Sequence, residues 1–201
     1  MIATQLSPSA TEGGHLTPLM TRTDHILGRL TAPVALIVYG DYECPLCRMA
    51  QPVVKAAVYE LRGLVCFGFR HYPLSELHPH AQHAAEVAEA AGAQGMFWQM
   101  HDLLFERQRA LEDVDLLHYA QRLDLDVDRV ARELRAGVYE SRVHDDFQSG
   151  IASGVKGTPT FFVNGARFDG WWPDAGSFTR VLRSALQERL HEMSEAAADS
   201  R

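Results

Sequence analysis

Two cysteines separated by two residues, Cys44-Pro45-Leu46-Cys47, have the types and spacing best suited to chemistry in this sequence. An apolar run over residues 34–39 and a short polar turn precede them, and a helix is predicted over residues 48–61. The order of strand, turn, cysteine pair and helix is typical of a redox-active dithiol. Zinc binding is disfavoured because no second C-x-x-C or C-x-x-H supplies further ligands. A purely structural disulfide is disfavoured because so small a loop stabilises a fold little.

The predicted position of Cys44 at the start of a helix explains how the exchange would begin. A thiolate is the nucleophile in thiol–disulfide exchange, and the free N–H groups and positive dipole end of a helix favour an anion. Pro45 suits the first helical position, where a missing N–H has no cost. Cys47 lies one turn later, within reach of a mixed disulfide. We therefore predict Cys44 as the nucleophile and Cys47 as the resolving thiol.

The composition is that of an ordinary globular protein. The 201 residues are 46% hydrophobic and 22% charged, enough for one domain or for one domain with an insertion. The net charge of −7, from 26 acidic and 19 basic residues, argues against nucleic acid or an anionic membrane as a partner. No apolar run reaches the roughly 18 residues that a membrane span needs.

Residues 1–23 are rich in Thr, Ser, Gly and Pro, which predicts a flexible arm. They contain no apolar core of signal-peptide length, so a cytoplasmic location is expected unless a leader has been removed. Three cysteines fit a reducing compartment, in which a cysteine pair tends to be catalytic. We interpret Cys66, in the middle of a predicted strand, as a small buried hydrophobe rather than a third redox thiol.

The predicted strands lie on both sides of a long segment that is predicted to be helical. Strands are predicted over 34–39, 64–69 and the apolar residues before Asn164-Gly165, a strong hairpin signal with a return strand over 166–168. A special backbone turn, with a cis peptide bond as one option, is predicted at Thr158-Pro159. Helices are predicted over 81–91, 96–106, 114–123, 127–136, 140–153 and 177–193, with disorder from 195.

The histidines His78, His80 and His83 invite a metal hypothesis. Two histidines at i, i+3 can chelate from one helix face, but no acidic or cysteine partner occurs at helical spacing. Capping and surface roles are favoured. We expect neither a metal nor a cofactor.

The sequence resembles the DsbA family of thioredoxin-fold thiol–disulfide oxidoreductases, in particular its compact, helix-inserted members. The resemblance extends from about residue 24 to residue 190. The first and last of its four motifs are shared widely among thioredoxin-like proteins, and the middle two are more particular to this family. The motifs are Tyr39-Gly-Asp-Tyr-Glu-Cys-Pro-Leu-Cys47, Phe69-Arg-His-Tyr-Pro-Leu74, Gln94-Gly-Met-Phe-Trp-Gln-Met-His-Asp102 and Gly157-Thr-Pro-Thr-Phe-Phe-Val-Asn-Gly165.

The resemblance implies an α/β thioredoxin fold, a mixed sheet flanked by helices, formed by residues 24–74 and 155–194. Residues 75–154 would be an inserted helical subdomain and 195–201 a disordered tail. The Thr158–Pro159 bond would be cis and would face the cysteine pair, with the Thr158 hydroxyl bonded to the Cys44 thiolate. Thr158, Pro159, Pro45 and Leu46 would contact the substrate.

The activity that this resemblance implies is exchange of disulfides with proteins or small thiols. Glutathione or a thioredoxin-type protein would be the electron partner. Two departures matter. Val38 occupies the place of a buried acid found in many relatives, which leaves Asp41 and Glu43 as weak candidates for acid–base help. Leu46 brings no positive charge, so we expect a smaller decrease in the pKa of Cys44 and a reductase or redox-buffering role.

Two other classes of function remain open. Glutathione-dependent transferases and isomerases of the kappa type share the helix-inserted fold, but they usually lack a residue equivalent to Cys47. A non-enzymatic, chaperone-like binding module would instead expose an apolar patch beside the cysteines.

Overall fold

The computed structural model describes residues 14–199, and within them it contains a five-stranded mixed sheet and seven helices. The sheet order is β1-β3-β2-β4-β5; β2 and β3 are parallel, and the other neighbours are antiparallel. In chain order the elements are β1 (His25–Leu27), β2 (Val34–Gly40), α1 (Pro45–Glu60), β3 (Val65–His71), α2 (Ala81–Gly92), α3 (Phe97–Glu106), α4 (Asp113–Arg122), α5 (Val127–Arg135), α6 (Glu140–Ala152), β4 (Thr160–Val163), β5 (Ala166–Phe168) and α7 (Ala175–Asp199).

Strand β2 lies at the centre of the sheet because its side chains are apolar on both faces, as a doubly covered strand requires. Leu36 and Val38 belong to the main core, which α1 and α7 help to form. Ile37 and Tyr39 face a second cluster, to which Phe147 of α6 contributes. The turn that follows β2 therefore begins at the end of a rigid, buried strand.

The predicted thioredoxin fold with an inserted helical segment is confirmed. Five helices, α2 to α6, occupy residues 81–152, with bounds within one or two residues of those predicted. Their apolar side chains, including Met100, Leu104 and Leu116, join the same core cluster as Leu36 of β2. The inserted helices thus share a continuous core with the sheet, so they can hold the active-site turn from the side.

The hairpin predicted at Asn164-Gly165 is confirmed, with positive φ angles of 49° and 83° at these residues. The Asn164 side chain also accepts a hydrogen bond from the Ala35 amide at 2.8 Å, which ties the turn to β2. Strand β3 continues to His71, beyond the predicted end at residue 69, because it pairs with β2 as far as Gly40. No helix in residues 14–199 combines the length and hydropathy of a membrane span.

The chain ends differ from the sequence-based expectation where the structure describes them. In the segment expected to be a flexible arm, His15 pairs with Ala166 beside β5 and Leu16 is buried. Its residues 1–13 lie outside the described residues. The tail expected to be disordered from 195 is helical through Asp199, because residues 194–199 contain neither Gly nor Pro to end α7. Residues 200–201 also lie outside the described part.

Candidate active site

Cys44 is the residue that caps the N-terminus of α1, where it has an extended backbone, and Pro45 occupies the first helical position. This is the geometry that the sequence predicts, since Pro45 needs no N–H partner there. The helix continues through Pro52 to Glu60. Cys44 and Cys47 are both free thiols and both buried, with 6% and 4% of their surface exposed.

The environment of Cys44 strongly favours its thiolate. The pKa of Cys44 is lowered from 9.0 to about 5, chiefly by a hydrogen bond from the Cys47 thiol. Burial opposes this decrease, and the Thr158 side chain and the backbone N–H groups of Cys47 and Leu46 add to it. Although Leu46 carries no charge, its position in the first helical turn therefore still supplies a donor to the sulfur.

Cys47 is held as the protonated partner. Its pKa is raised well above 9.0, first by burial and then because its thiol donates to Cys44. The Asp41 amide donates to its sulfur at 3.5 Å. A narrow cleft beside Cys47 is lined mainly by apolar side chains, including Val38, Phe105 and Pro159. The cysteine pair thus consists of one thiolate and one buried thiol, which is the asymmetry that a nucleophile and a resolving thiol need.

The loop before β4 closes the site. The peptide bond between Thr158 and Pro159 is cis, and the Thr158 carbonyl oxygen lies 3.3 Å from the Cys44 sulfur. The family resemblance implies a hydrogen bond from the Thr158 hydroxyl, whereas the contact at 3.3 Å is made by the carbonyl. The hydroxyl is buried and has no hydrogen-bond partner among the described residues, although its proximity lowers the pKa of both cysteines.

The carboxylate of Asp41, one of the two weak candidates for acid–base help, organises the turn before Cys44. One oxygen accepts from the amides of Glu43 at 2.7 Å and Cys44 at 3.2 Å. The other accepts from the Leu74 amide at 2.9 Å and pairs with His78 Nδ1 at 2.7 Å. The side chain of Asp41 is fully enclosed. This carboxylate therefore joins the cysteine turn to the segment that follows β3.

The three histidines of the metal hypothesis have separate partners rather than a shared site. His78 pairs with Asp41, the backbone amide of His80 donates to Glu43 at 2.8 Å, and His83 pairs with Asp113 at 2.6 Å. The structure brings only His78 to the cysteine pair. Its spacing in the sequence gives no sign of this, because the contact with Asp41 spans 37 residues.

A different trio, His71, Glu89 and Asp146, places its possible metal ligands within 4.8 Å of one another in the interior. Glu89 accepts from both His71 and His25 at 2.9 Å, and Arg142 pairs with Asp146. Burial opposes ionisation of Glu89, but its hydrogen bonds and charge interactions with His25 and His71 lower its pKa far below the usual range. The carboxylates thus already have hydrogen-bond or ion-pair partners within the protein, so we interpret the trio as part of a buried polar network.

Gln108, just beyond α3, is a second site residue that the sequence analysis missed. Its side-chain amide donates to the carbonyl oxygens of Tyr42 at 2.9 Å and Cys44 at 2.8 Å. The Tyr42 hydroxyl also bonds to His101 of α3 at 3.0 Å. The inserted helices therefore grip the turn that carries Cys44 through polar contacts as well as through the common core.

Exposed apolar side chains surround this edge of the sheet. Leu46 and Met49 in α1 are 52% and 62% exposed, and Pro45 is exposed beside them. Trp171 is 79% exposed and follows β5 at the strand end nearest the start of β4, since Phe168 pairs with Phe161. Pro159 is partly exposed, whereas Thr158 is buried. Of the predicted contact residues, Pro45, Leu46 and Pro159 thus offer at least partly exposed side chains, whereas Thr158 is buried against Cys44.

Comparisons with known proteins agree with this geometry. The sequence profile of a family described as Thioredoxin matches residues 20–178. Oxidised BdbD from Bacillus subtilis matches with a TM-score of 0.75 and 21% identity, over 89% of this chain and 98% of that one. Wolbachia pipientis α-DsbA1 matches with a TM-score of 0.72 and 19% identity, over 88% and 97%. These structures share the fold and confirm the expected DsbA-type architecture.

Two curated relatives have a different kind of name. The protein named Na(+)/H(+) antiporter NhaA 3 of Salinispora tropica is 46% identical over 87% of this chain. Na(+)/H(+) antiporter NhaA 1 of Salinispora arenicola is 41% identical over 92% of it. The chain spans only 27% and 28% of these relatives.

Proposed function

Because the chain belongs to the thioredoxin family, we propose that it is a thiol–disulfide oxidoreductase of the DsbA type. Cys44 is the nucleophile and Cys47 the resolving thiol. The observation that carries this proposal is the unequal pair of buried thiols at the helix start. The pKa of Cys44 is about 5, whereas that of Cys47 is raised. A metal ligand set or a structural disulfide has no need of this asymmetry.

The exchange proceeds in two displacements. The Cys44 thiolate attacks one sulfur of a substrate disulfide; an S–S bond forms to Cys44, and the other substrate sulfur leaves as a thiolate that takes up a proton. Cys47 then loses its proton and attacks the Cys44 sulfur, which breaks the mixed disulfide; the second substrate sulfur leaves as a thiolate and takes up a proton. The enzyme pair is oxidised to a disulfide and the substrate is reduced by two electrons. The reverse sequence oxidises a substrate dithiol.

Substrates of this site are proteins with an accessible disulfide or dithiol, or small thiols. An extended segment would lie against Pro45, Leu46 and Pro159 and pair with the backbone of Thr158, as in strand addition at small scale. The exposure of Leu46 and the contact between the Thr158 backbone and the Cys44 sulfur support this arrangement. Glutathione or a thioredoxin-type protein would restore the starting redox state. The cytoplasmic location stays a prediction.

The pKa of Cys44 also places the couple on the redox scale. Stabilising the thiolate stabilises the reduced form and makes the couple more oxidising. A value of about 5 lies between those of thioredoxin, about 7, and DsbA, about 3.5. We therefore propose a potential between about −270 and −120 mV, which moves the expected reductase toward a redox-buffering role.

The alternatives have less support. A kappa-type enzyme would have no use for a Cys47 thiol that donates to Cys44. A binding module would use Leu46, Met49 and Trp171 without the thiols, although these side chains equally suit a substrate surface. Ion transport is not proposed for this chain, because it matches only 28% of the antiporter of Salinispora arenicola.

Trapping tests the proposal. Cys47→Ser, incubated with a protein that contains an accessible disulfide, such as insulin, should accumulate a mixed disulfide at Cys44 that reductant removes. Cys66→Ser is the matched control, since Cys66 is buried in β3 and burial raises its pKa; it should turn over substrate without trapping. If Cys47→Ser forms no adduct while Cys44 remains reactive toward iodoacetamide, the oxidoreductase proposal is wrong.

A further inference from the structure

We propose that His78 is a positioning residue which, through Asp41, offsets the negative charge beside Cys44 and steepens the pH dependence of the redox balance of the cysteine pair. The inference rests on the oxidoreductase function proposed above and assigns control of it to a residue 34 positions after the nucleophile. In this account the control of charge comes from the segment after β3 and not from the two residues between the cysteines.

Asp41 contacts the turn that carries both cysteines. Its two oxygens accept from the amides of Glu43, Cys44 and Leu74 and pair with His78 Nδ1 at 2.7 Å. The same residue's amide donates to the Cys47 sulfur at 3.5 Å. A displacement of this carboxylate would therefore disturb both cysteines. His78 is the only cationic side chain among the described residues that contacts it.

The charged groups that face His78 are negative. Asp41, Glu43 and the Cys44 thiolate are the charged groups that face His78, and all three raise its pKa above 6.5, against the effect of burial. Glu43 is held toward this segment by the backbone amide of His80. Without a positive His78, two carboxylates would remain beside the thiolate with less compensation. The thiolate would then be less stable and the couple less oxidising.

The protonation of His78 is linked to the redox state of Cys44. The Cys44 thiolate exists in the reduced form and is absent from the disulfide, so His78 holds its proton more tightly in the reduced form. Reduction therefore takes up part of a proton at His78. Because the pKa of His78 is raised, its support of the reduced form is present at low pH and is lost as the pH rises through that pKa. The potential should fall more steeply with pH in that interval.

The chain offers a matched control for the experiment. His83 pairs with Asp113 at 2.6 Å, and both side chains are about half exposed. His78→Asn places an amide donor where Nδ1 lies and removes only the charge. His83→Asn makes the same change on an exposed helix surface.

The experiment measures the glutathione equilibrium of the cysteine pair from about pH 6 to pH 9. The thiolate absorbance near 240 nm is followed from about pH 3 to pH 8, because the pKa of Cys44 is about 5. For His78→Asn we expect a raised pKa of Cys44 and a shift toward the disulfide of about three- to tenfold, or about 15–30 mV at 29.6 mV per decade. The steeper pH interval should disappear. His83→Asn should match the wild type.

The possible results either support or contradict the role of His78. If the wild type and both variants form a reversible disulfide and their potentials equal one another at each pH, the inference is wrong while the oxidoreductase function stands. An equal shift in His83→Asn would also overturn it. If no variant forms a reversible disulfide, the function itself fails. Should His78→Asn not fold, NMR titration of His78 in the wild type replaces it: a higher pKa in the reduced form supports the inference, and equal values refute it.

Discussion

The carbonyl oxygen of Thr158 lies 3.3 Å from the sulfur of Cys44, although 114 residues separate them in the chain. The register of the sheet explains this contact. β2 and β4 are antiparallel neighbours with Tyr39 opposite Thr160, so the residues after β2 and those before β4 emerge at the same edge. Two short motifs thereby become one site, and the inserted helices close around it.

The first prediction concerns the hydrogen bond within the cysteine pair. Cys47→Ala should raise the pKa of Cys44 well above about 5, because the Cys47 thiol is the largest cause of the decrease. Cys47→Ser retains a donor and should raise it less. The pH dependence of Cys44 alkylation measures both. If the pKa stays near 5 in Cys47→Ala, the helix N-terminus alone must stabilise the thiolate.

The second prediction concerns stability and pH. Because the folded pKa of Cys44 is about 5 and its ordinary value is 9.0, the unfolded chain binds a proton that the folded one has released between these values. The free energy of unfolding of the reduced protein, relative to Cys44→Ala, should therefore rise from pH 5 to 9, approaching about 1.4 kcal/mol per pH unit. This advantage is lost as the pH falls through 5. A flat difference in urea unfolding would contradict the account.

The third prediction concerns Gln108. Gln108→Ala should cost on the order of 1 kcal/mol of folding stability and slow disulfide exchange, because the carbonyls of Tyr42 and Cys44 lose their donor. The control is Gln94→Ala, which removes a half-buried amide that bonds to Asp126 instead. It should leave the exchange rate unchanged. Equal exchange rates in the two variants would show that the hydrogen bonds from Gln108 have no part in the reaction.

The fourth prediction concerns a buried ion pair away from the cysteines. Arg70 donates to Asp24 at 2.7 Å, and both side chains are almost fully buried. Asp24→Ala should destabilise the fold by roughly 3–5 kcal/mol, since it leaves a buried charge unpaired. The pKa of Cys44 should not change. Glu60→Gln, which breaks an exposed pair with Arg183, should barely alter thermal unfolding.

Local sequence features predict much of the fold. The apolar residues of β2, the Asn164-Gly165 turn and the five helical periods of the insertion each depend on neighbouring residues, so their patterns are readable. Cys44, Cys47 and Thr158 are recognisable because each belongs to a motif that is complete within a few consecutive residues. The N-terminal segment is less predictable, because its docking against β5 depends on tertiary contacts. The polar composition of the C-terminal residues conceals the continuation of α7, although they contain neither Gly nor Pro to end it.

The residues that tune the site are the part that the sequence conceals. His78 reaches Asp41 across 37 residues, and Gln108 reaches Cys44 across 64. Neither residue belongs to a periodic pattern or a motif with a fixed partner. The histidine cluster drew attention to His78, but its spacing favoured capping or a metal rather than an acid at the far side of a turn.

The redox equilibrium of Cys44 and Cys47 tests the central claim most directly. Purified Cys66→Ser, equilibrated in glutathione buffers and read by thiol trapping, should show a reversible two-thiol disulfide with a potential between about −270 and −120 mV. The failure of any reversible disulfide to form between Cys44 and Cys47 would contradict the account.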